Sequence, residues 1–437
     1  MPSGTLIVKH PPRPPRVPSR LPRTLHISTR LILGGSQENT VLSCEGQARR
    51  GHEVHLAFGP IYGPEGSLLE RVEQFRTAEG RTITTHVVPD MIREVSPVRD
   101  ARALKQLKQL IRAIKPDVVH THSSKAGILG RSAGWSLLRE LPGIRVVHTI
   151  HGPPFMPLEG SALQRAKVAV NNVIYTLAEK YAARRCHTIV SVADAMTSQF
   201  LARGIGHAGQ YITVRSGMEI EPFVAARRLD RAAIRRELGI AEDAFVLGTV
   251  ARLAQHKGHD DIIDALRDEL FLPSRLRWHL LWVGDGWWRE RLEQRLRDAG
   301  LRERVTLTGL VPPQRVPTLM RAMDVLIHPS YREGLPRTVP QALLAGALPV
   351  AYDVDGTGEI CREMQTGRLV PPGDIAGLRG ALTWAADHPG ERDAMIARGQ
   401  VECEREFGAD VMVERLDEVY RVDTPMQTER PKRDAAR

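Results

Sequence analysis

From Thr24 onward, short apolar runs of strand length alternate with longer segments whose apolar residues recur at intervals of three and four. A strand buried on both faces of a parallel sheet has no polar face to show, whereas a crossover helix needs only one apolar stripe. The pattern therefore predicts strands over Leu25 to Ser28, Glu53 to Phe58, Thr84 to Val88, Asp117 to His120, Arg145 to Thr149, Thr188 to Ser191 and Ile212 to Val214. Between them lie helices such as the one carrying Leu104, Leu107, Leu110 and Ile111, which stops at Pro116.

The rhythm breaks between Arg215 and Phe223, where Ser216, Gly217 and Pro222 interrupt it. A second series then predicts strands over Phe245 to Val250, His279 to Val283, Val305 to Thr308, Val325 to His328, Leu348 to Ala351 and Arg368 to Val370. The expected fold is α/β, with two Rossmann-like, doubly wound parallel-sheet domains over 23–216 and 217–407. Ligands of such sheets sit beyond the carboxyl ends of the strands, so chemistry is sought in the residues that follow each strand.

Composition agrees with two ordinary cores: 437 residues exceed what one core holds, and 42% hydrophobic with 26% charged residues is a globular balance. The longest apolar runs, such as Leu280 to Val283, fall far short of a bilayer span, and the N-terminus lacks the apolar stretch of a secretory signal. A cytoplasmic protein is expected. Residues 1–22 read as a disordered, basic, proline-rich arm and 424–437 as a disordered tail. Cys44, Cys186, Cys361 and Cys403 stand far apart and read as reduced and structural. The net charge of +10 suits anionic ligands, and equally an arginine-rich coding bias. With only 5% aromatic residues, not interleaved with basic ones, a nucleic-acid partner is not expected.

After the strand ending at Val250 come Arg252, Lys257 and Gly258, the last opening the next helix. Two fixed cations beside free backbone N–H groups would stabilise a departing diphosphate, although the same pair also fits a solvated ion-pair loop. After the strand ending at His328, the run Pro329 to Pro336 places Glu333, Gly334 and Leu335 at a helix entrance, with Gln341 about one turn inside. A carboxylate and an amide suit sugar hydroxyls, and also fit a helix-dipole partner and a plain surface residue. Gly34 and Gly35 follow the first strand and allow close backbone approach, or simply a tight turn. His151 stands at the carboxyl end of a strand, facing the expected cleft. His120, His122 and Lys125 form another polar cluster after a strand, able to reach an acceptor or to cap the next helix.

Taken together, Arg252 to Gly258, Val283-Gly284-Asp285-Gly286, Gly309 and the run Pro329 to Gly346 resemble the C-terminal domain of glycosyltransferase family 4, retaining enzymes of the GT-B fold. Gly34-Gly35, Gly51 to Val54, Pro116 to His122 and His148 to Gly152 resemble its N-terminal domain, so the likeness runs from about Thr24 to Phe407. The resemblance implies that Arg252 and Lys257 bind the donor diphosphate, that Glu333 contacts the sugar and that His151 touches the transferred sugar or the reaction centre. It also implies roles for Gly286, Gly334 and Leu335 in substrate binding. The family's second glutamate, on the ribose, is replaced here by Gln341. An amide can still bond vicinal hydroxyls, without charge assistance.

The resemblance further implies a nucleotide-sugar donor, a glycan or lipid-linked acceptor, no cofactor, and a helix over 408–423 packing back on the N-terminal domain. Asp353-Val354-Asp355 has the spacing of a metal-binding pair in the unrelated GT-A fold, but here it follows a strand of the second domain, and no essential metal is expected. Rival readings on the same architecture are a nucleotide-sugar epimerase, a sugar phosphorylase and a non-catalytic binding protein. Arg131, Trp135, Leu137, Leu138 and Arg139 could form an interfacial helix and give peripheral membrane contact, but an ordinary crossover helix is the preferred reading of the same residues.

Overall fold

The computed structural model describes residues 22–62, 66–155, 161–267 and 277–421. Apart from Pro22, the expected arm and the expected tail lie outside them.

Seven strands form the first sheet: β1 (Arg23–Ser28), β2 (Glu53–Phe58), β3 (Ile83–Val87), β4 (Val118–His122), β5 (Arg145–Ile150), β6 (Thr188–Ser191) and β7 (Tyr211–Thr213). Six form the second: β8 (Phe245–Val250), β9 (Trp278–Val283), β10 (Val305–Leu307), β11 (Val325–His328), β12 (Leu348–Tyr352) and β13 (Arg368–Val370). The spatial orders are β3-β2-β1-β4-β5-β6-β7 and β10-β9-β8-β11-β12-β13. Every pairing is parallel. The chain is thus two doubly wound α/β domains, each reversing direction beside its first strand, between β1 and β4 and between β8 and β11. Those two reversals are where the fold opens a crevice for a ligand.

Apolar residues alternate between the two faces of the second sheet. Phe245 and Leu247 of β8, Leu280 and Trp282 of β9, and Val325 and Ile327 of β11 enter one buried cluster. Their neighbours Val246, Leu281 and Leu326 enter the other. Both faces are covered, which is why these strands read as unbroken apolar runs.

The last described helix, Ala409–Arg421, belongs by packing to the first domain. Its Val413, Leu416, Val419 and Tyr420 join Leu42, Val118, Val147 and Val190 in one buried cluster. It crosses the Gly35–Arg49 helix so closely that a Cβ on Gly46 would lie 2.5 Å from Val413 Cγ2. The chain therefore passes between the domains twice, and a bridge between Met218 and Gly408 ties the two crossings together.

Among the described residues no helix is long and apolar enough to cross a membrane. The helix weighed as an interfacial one, Ser124–Ser136, is a packed crossover element. Arg131 is fully buried and donates to Glu179 at 2.7 Å, and Leu137 is buried just beyond the helix end. A side chain committed to a buried ion pair cannot reach a headgroup, so the packing agrees with the crossover reading of these residues and not with the interfacial one.

Candidate functional site

The loops after the crevice strands of both sheets meet around a cleft of about 580 Å³. From the first domain come Gly35, Ser36, Ser123, Ser124 and the segment His151 to Pro154; from the second come Arg252, His256 and Lys257, and Arg332 through Thr338.

The segment after β8 makes a 3-10 turn over Gln255–Lys257 before the His259–Leu266 helix starts. Gly258 joins the two with φ 67°, and a Cβ there would lie 2.0 Å from the Pro329 carbonyl oxygen. Only glycine lets the two cleft loops touch at this point. Among the described residues Arg252 has no carboxylate within ion-pair distance; it is exposed and its guanidinium lies 5.8 Å from the Trp287 ring centroid. Lys257 Nζ is 2.5 Å from Glu333 Oε1, and His328 Nε2 is 3.2 Å from the same oxygen. Burial pushes the Glu333 carboxyl up, but the Lys257 charge and the His328 contact outweigh it and hold the group well below the usual carboxylate range. Glu333 is therefore ionised, and Lys257 is both its partner and a cation on the cleft wall.

Two helix starts face the cleft from opposite sides, Gly35 and Ser36 opening one helix and Thr338 the other. Arg337, at the N-cap of the second, holds Glu38 of the first with contacts of 2.6 and 3.1 Å across the domain boundary. The backbones also touch: a Cβ on Gly334 would lie 1.9 Å from the His151 carbonyl oxygen. With Arg252, Lys257, Arg332 and Arg337 in the lining against one lining carboxylate, Glu333, and with N–H groups from two helix starts, the cleft is built for an anion.

Behind His151 runs a buried chain of imidazoles. Gln47 Nε2 donates to Tyr420 Oη at 3.0 Å, which leaves Gln47 Oε1 to accept from His26 Nε2 at 2.8 Å. His26 Nδ1 then accepts from His122 Nε2, and His122 Nδ1 from His151 Nε2, both at 3.0 Å. One amide thus sets the tautomer of three rings and leaves the His151 Nδ1 lone pair free of a proton. Burial, and next the Arg337 charge, push His151 down to about 4; burial pushes His26 to about 4 and His122 well below its ordinary value. All three are neutral at pH 7. His26, His120 and His122 also lie within 4.8 Å of one another through possible ligand atoms. Their nitrogens are already used in this network, His120 bonding Tyr420 Oη and Thr149 Oγ1 at 2.7 Å each.

Seven of the residues singled out from sequence line the cleft: Gly35, His151, Arg252, Lys257, Glu333, Gly334 and Leu335. Five do not. Gly34 is the extended residue before its helix, with φ 176°. His122 is buried one ring behind His151. Lys125 turns away to Asp100 Oδ1 at 2.7 Å. Gly286 lies under the Arg252 loop, where a Cβ would sit 2.4 Å from the Leu253 carbonyl oxygen, so it shapes that loop from behind. Gln341 is half-buried one turn beyond Thr338, about 4.5 Å further along the helix axis than the residue that reaches the cleft. Asp355, of the aspartate pair set aside as a metal motif, accepts from the Glu333 backbone N–H at 2.7 Å and from Gln199 Nε2 at 2.6 Å, bracing the Glu333 loop against the first domain.

Sequence reasoning missed Arg337, although it directly follows the Pro329 to Pro336 run, and Ser123, whose φ of 64° is a sparsely populated conformation for a non-glycine residue. It also missed His26. The signal was there, because His120 and His122 share one face of β4 and His26 is the register partner of His120 on β1.

The family model described as glycosyl transferases group 1 matches residues 230–402, and the glycosyl transferase 4-like domain matches residues 34–217. The chain is 29% identical over 337 residues to a 2-deoxystreptamine N-acetyl-D-glucosaminyltransferase of Streptomyces fradiae, covering 74% of this chain and 75% of the relative. It is 25% identical over 312 residues to the UDP-Gal:alpha-D-GlcNAc-diphosphoundecaprenol alpha-1,3-galactosyltransferase of Escherichia coli, covering 70% and 76%. In fold it resembles Anabaena Alr3699/HepE, solved with UDP and glucose, at TM-score 0.69 and 21% identity over 91% of this chain and 99% of that one.

Proposed function

Because the chain belongs to the group 1 glycosyltransferases of the family 4 type, with the GT-B fold, and is a glycosyltransferase enzyme, we propose that it moves a sugar from a UDP-sugar to a hydroxyl of a glycan or lipid-linked acceptor, with retention of anomeric configuration. The UDP and glucose bound by the Anabaena protein, and the UDP-Gal donor and lipid-diphosphate acceptor named for the Escherichia coli relative, support the substrate classes. The observation that carries the reading is the position of Arg252 and Lys257 on the cleft wall beside two helix starts.

In this reading the diphosphate lies against Arg252 and Lys257, whose charges offset the negative charge that grows as the C1–O bond to phosphate breaks. The acceptor oxygen bonds to C1 on the face the phosphate leaves, and its proton passes to the departing phosphate oxygen. Glu333 accepts from hydroxyls of the transferred sugar, while His151 Nδ1 accepts from the same sugar on the opposite wall. Two fixed cations and the helix starts supply the charge that a divalent ion would otherwise bring, so the reaction runs without an essential metal. Its setting is the synthesis of cell-surface polysaccharide or glycoconjugate on the cytoplasmic side.

A panel of nucleoside diphosphate sugars, assayed by thermal unfolding with a chelator present, tests the donor reading. A UDP-sugar at a hundredfold excess over its dissociation constant stabilises the fold by about 2.7 kcal/mol. If no nucleotide sugar raises the melting temperature, the reading is wrong.

A further inference from the structure

One long helix of the first domain is turned the wrong way round for a globular protein. Ala162–Ala183 opens with a capping box between Ser161 and Gln164, yet buries only Glu179, Ala182 and Ala183 near its far end. That end is fixed by the buried Glu179–Arg131 pair at 2.7 Å. The preceding turns stand clear of the body. Leu163, Ala166, Val170, Val173, Ile174, Leu177 and Tyr181 follow one another at steps of three, four, three, one, three and four, which places them on one stripe roughly 100° wide. The stripe faces solvent: Leu163 is 82% exposed, Val170, Val173 and Ile174 are each 58% exposed, and Leu177 is 60% exposed. A surface helix ordinarily turns such a stripe inward.

The charges around the stripe are of one sign. Lys167 falls along one edge and Lys180 along the other, Arg184 and Arg185 follow directly at the helix's C-terminal end, and the helix carries no acidic residue except the buried Glu179. Two copies pairing through this stripe would set like charges against each other, where helix pairing needs both signs at its flanks. An anionic lipid surface fits both features at once, taking the apolar stripe among its acyl chains and the flanking cations at its phosphates.

We propose that the Ala162–Ala183 helix is an in-plane anchor that docks the protein on an anionic membrane surface, with Val170, Val173, Ile174 and Leu177 immersed and Lys167, Lys180 and Arg184 at the headgroups. The helix N-cap is seven residues beyond Pro154, the last cleft-lining residue of the segment that forms this wall of the first domain. Docking therefore holds the cleft beside the lipid surface. This inference stands on its own observations and does not depend on the identity of the donor.

The test is co-sedimentation of the full chain with vesicles of phosphatidylcholine alone and of phosphatidylcholine containing roughly one-third phosphatidylglycerol, with UDP affinity measured in parallel. The wild type pellets with the anionic vesicles and not with the neutral ones. Lys167→Gln and Arg184→Gln each weaken binding about fivefold. Val173→Asp combined with Ile174→Asp abolishes it while leaving UDP affinity and melting temperature unchanged, because both positions are exposed. The proposal is overturned if folded wild type ignores anionic vesicles or if the aspartate pair binds them as well as wild type. It is also overturned if the wild type is instead a dimer that the aspartate pair converts to monomer. Loss of UDP binding alone would bear on the reaction and leave the anchor standing.

Discussion

Lowering the pH should unfold the first domain before the second. Eight histidines of that domain, His26, His52, His86, His120, His122, His148, His151 and His187, are pushed below their ordinary value, in each case chiefly by burial, against three of the second, His256, His259 and His279. A histidine whose folded pKa lies below its unfolded one contributes fully above pH 6.5, and that contribution is lost as the pH falls toward the folded value. His26 and His151 are both pushed to about 4, so the window runs from about 6.5 down to 4. At pH 5 each costs about 2 kcal/mol, from 1.5 pH units at about 1.36 kcal/mol per unit. The pair alone removes about 4 kcal/mol of a typical 5–15 kcal/mol stability; His256 and His259, also pushed to about 4, remove as much from the second domain, and the six further lowered histidines of the first, against one of the second, set the order of unfolding. In urea, with a slope of about 2 kcal/mol/M, the midpoint should fall by roughly 2 M between pH 7 and pH 5. Hydrogen exchange read by mass spectrometry locates the change, with β1, β4 and β5 losing protection at a pH where β8 and β11 keep it. An unchanged midpoint over this range, or earlier loss from the second sheet, would refute the reasoning.

Gln47→Leu removes the acceptor that fixes the His26 tautomer and leaves a buried ring N–H unpaired, at a cost of about 1–3 kcal/mol. Its turnover should fall while UDP affinity is kept, because the amide acts through His151 and not on the diphosphate; turnover equal to wild type would show that the imidazole chain does not position His151. Gly334→Ala places a methyl group where the His151 carbonyl now sits, so the two domains should part and turnover should drop at least tenfold in a protein whose melting temperature is nearly unchanged. Small-angle scattering with and without UDP checks this, and a variant that still closes would contradict it.

The central strands were legible because strands buried on both faces leave continuous apolar runs, the half-buried edge strands β3 and β7 showed through their place in the alternation with helices, and the loops between them carried the glycines and prolines that end them. Loop residues aimed into a cleft by close backbone contact, such as Glu333 and Lys257, were legible too, since their place after a strand fixes their direction. Positions that depend on helix rotation or on a distant partner were not. Gln341 sits one turn too far along its helix, and Lys125 is drawn off by Asp100, a residue far away in sequence. The outward stripe of Ala162–Ala183 has the same periodicity as a core-facing one, and only the surrounding packing shows which way it faces. The buried histidine chain needs three strands in register before its members meet.

The central claim is that Arg252 and Lys257 hold the donor diphosphate, and calorimetric titration of UDP in the presence of a chelator tests it most directly. Each charged contact is worth about 1.5–3 kcal/mol, so the double variant Arg252→Gln, Lys257→Gln should bind UDP at least a hundredfold more weakly than wild type while unfolding cooperatively. A double variant that binds UDP as tightly as wild type would contradict the account.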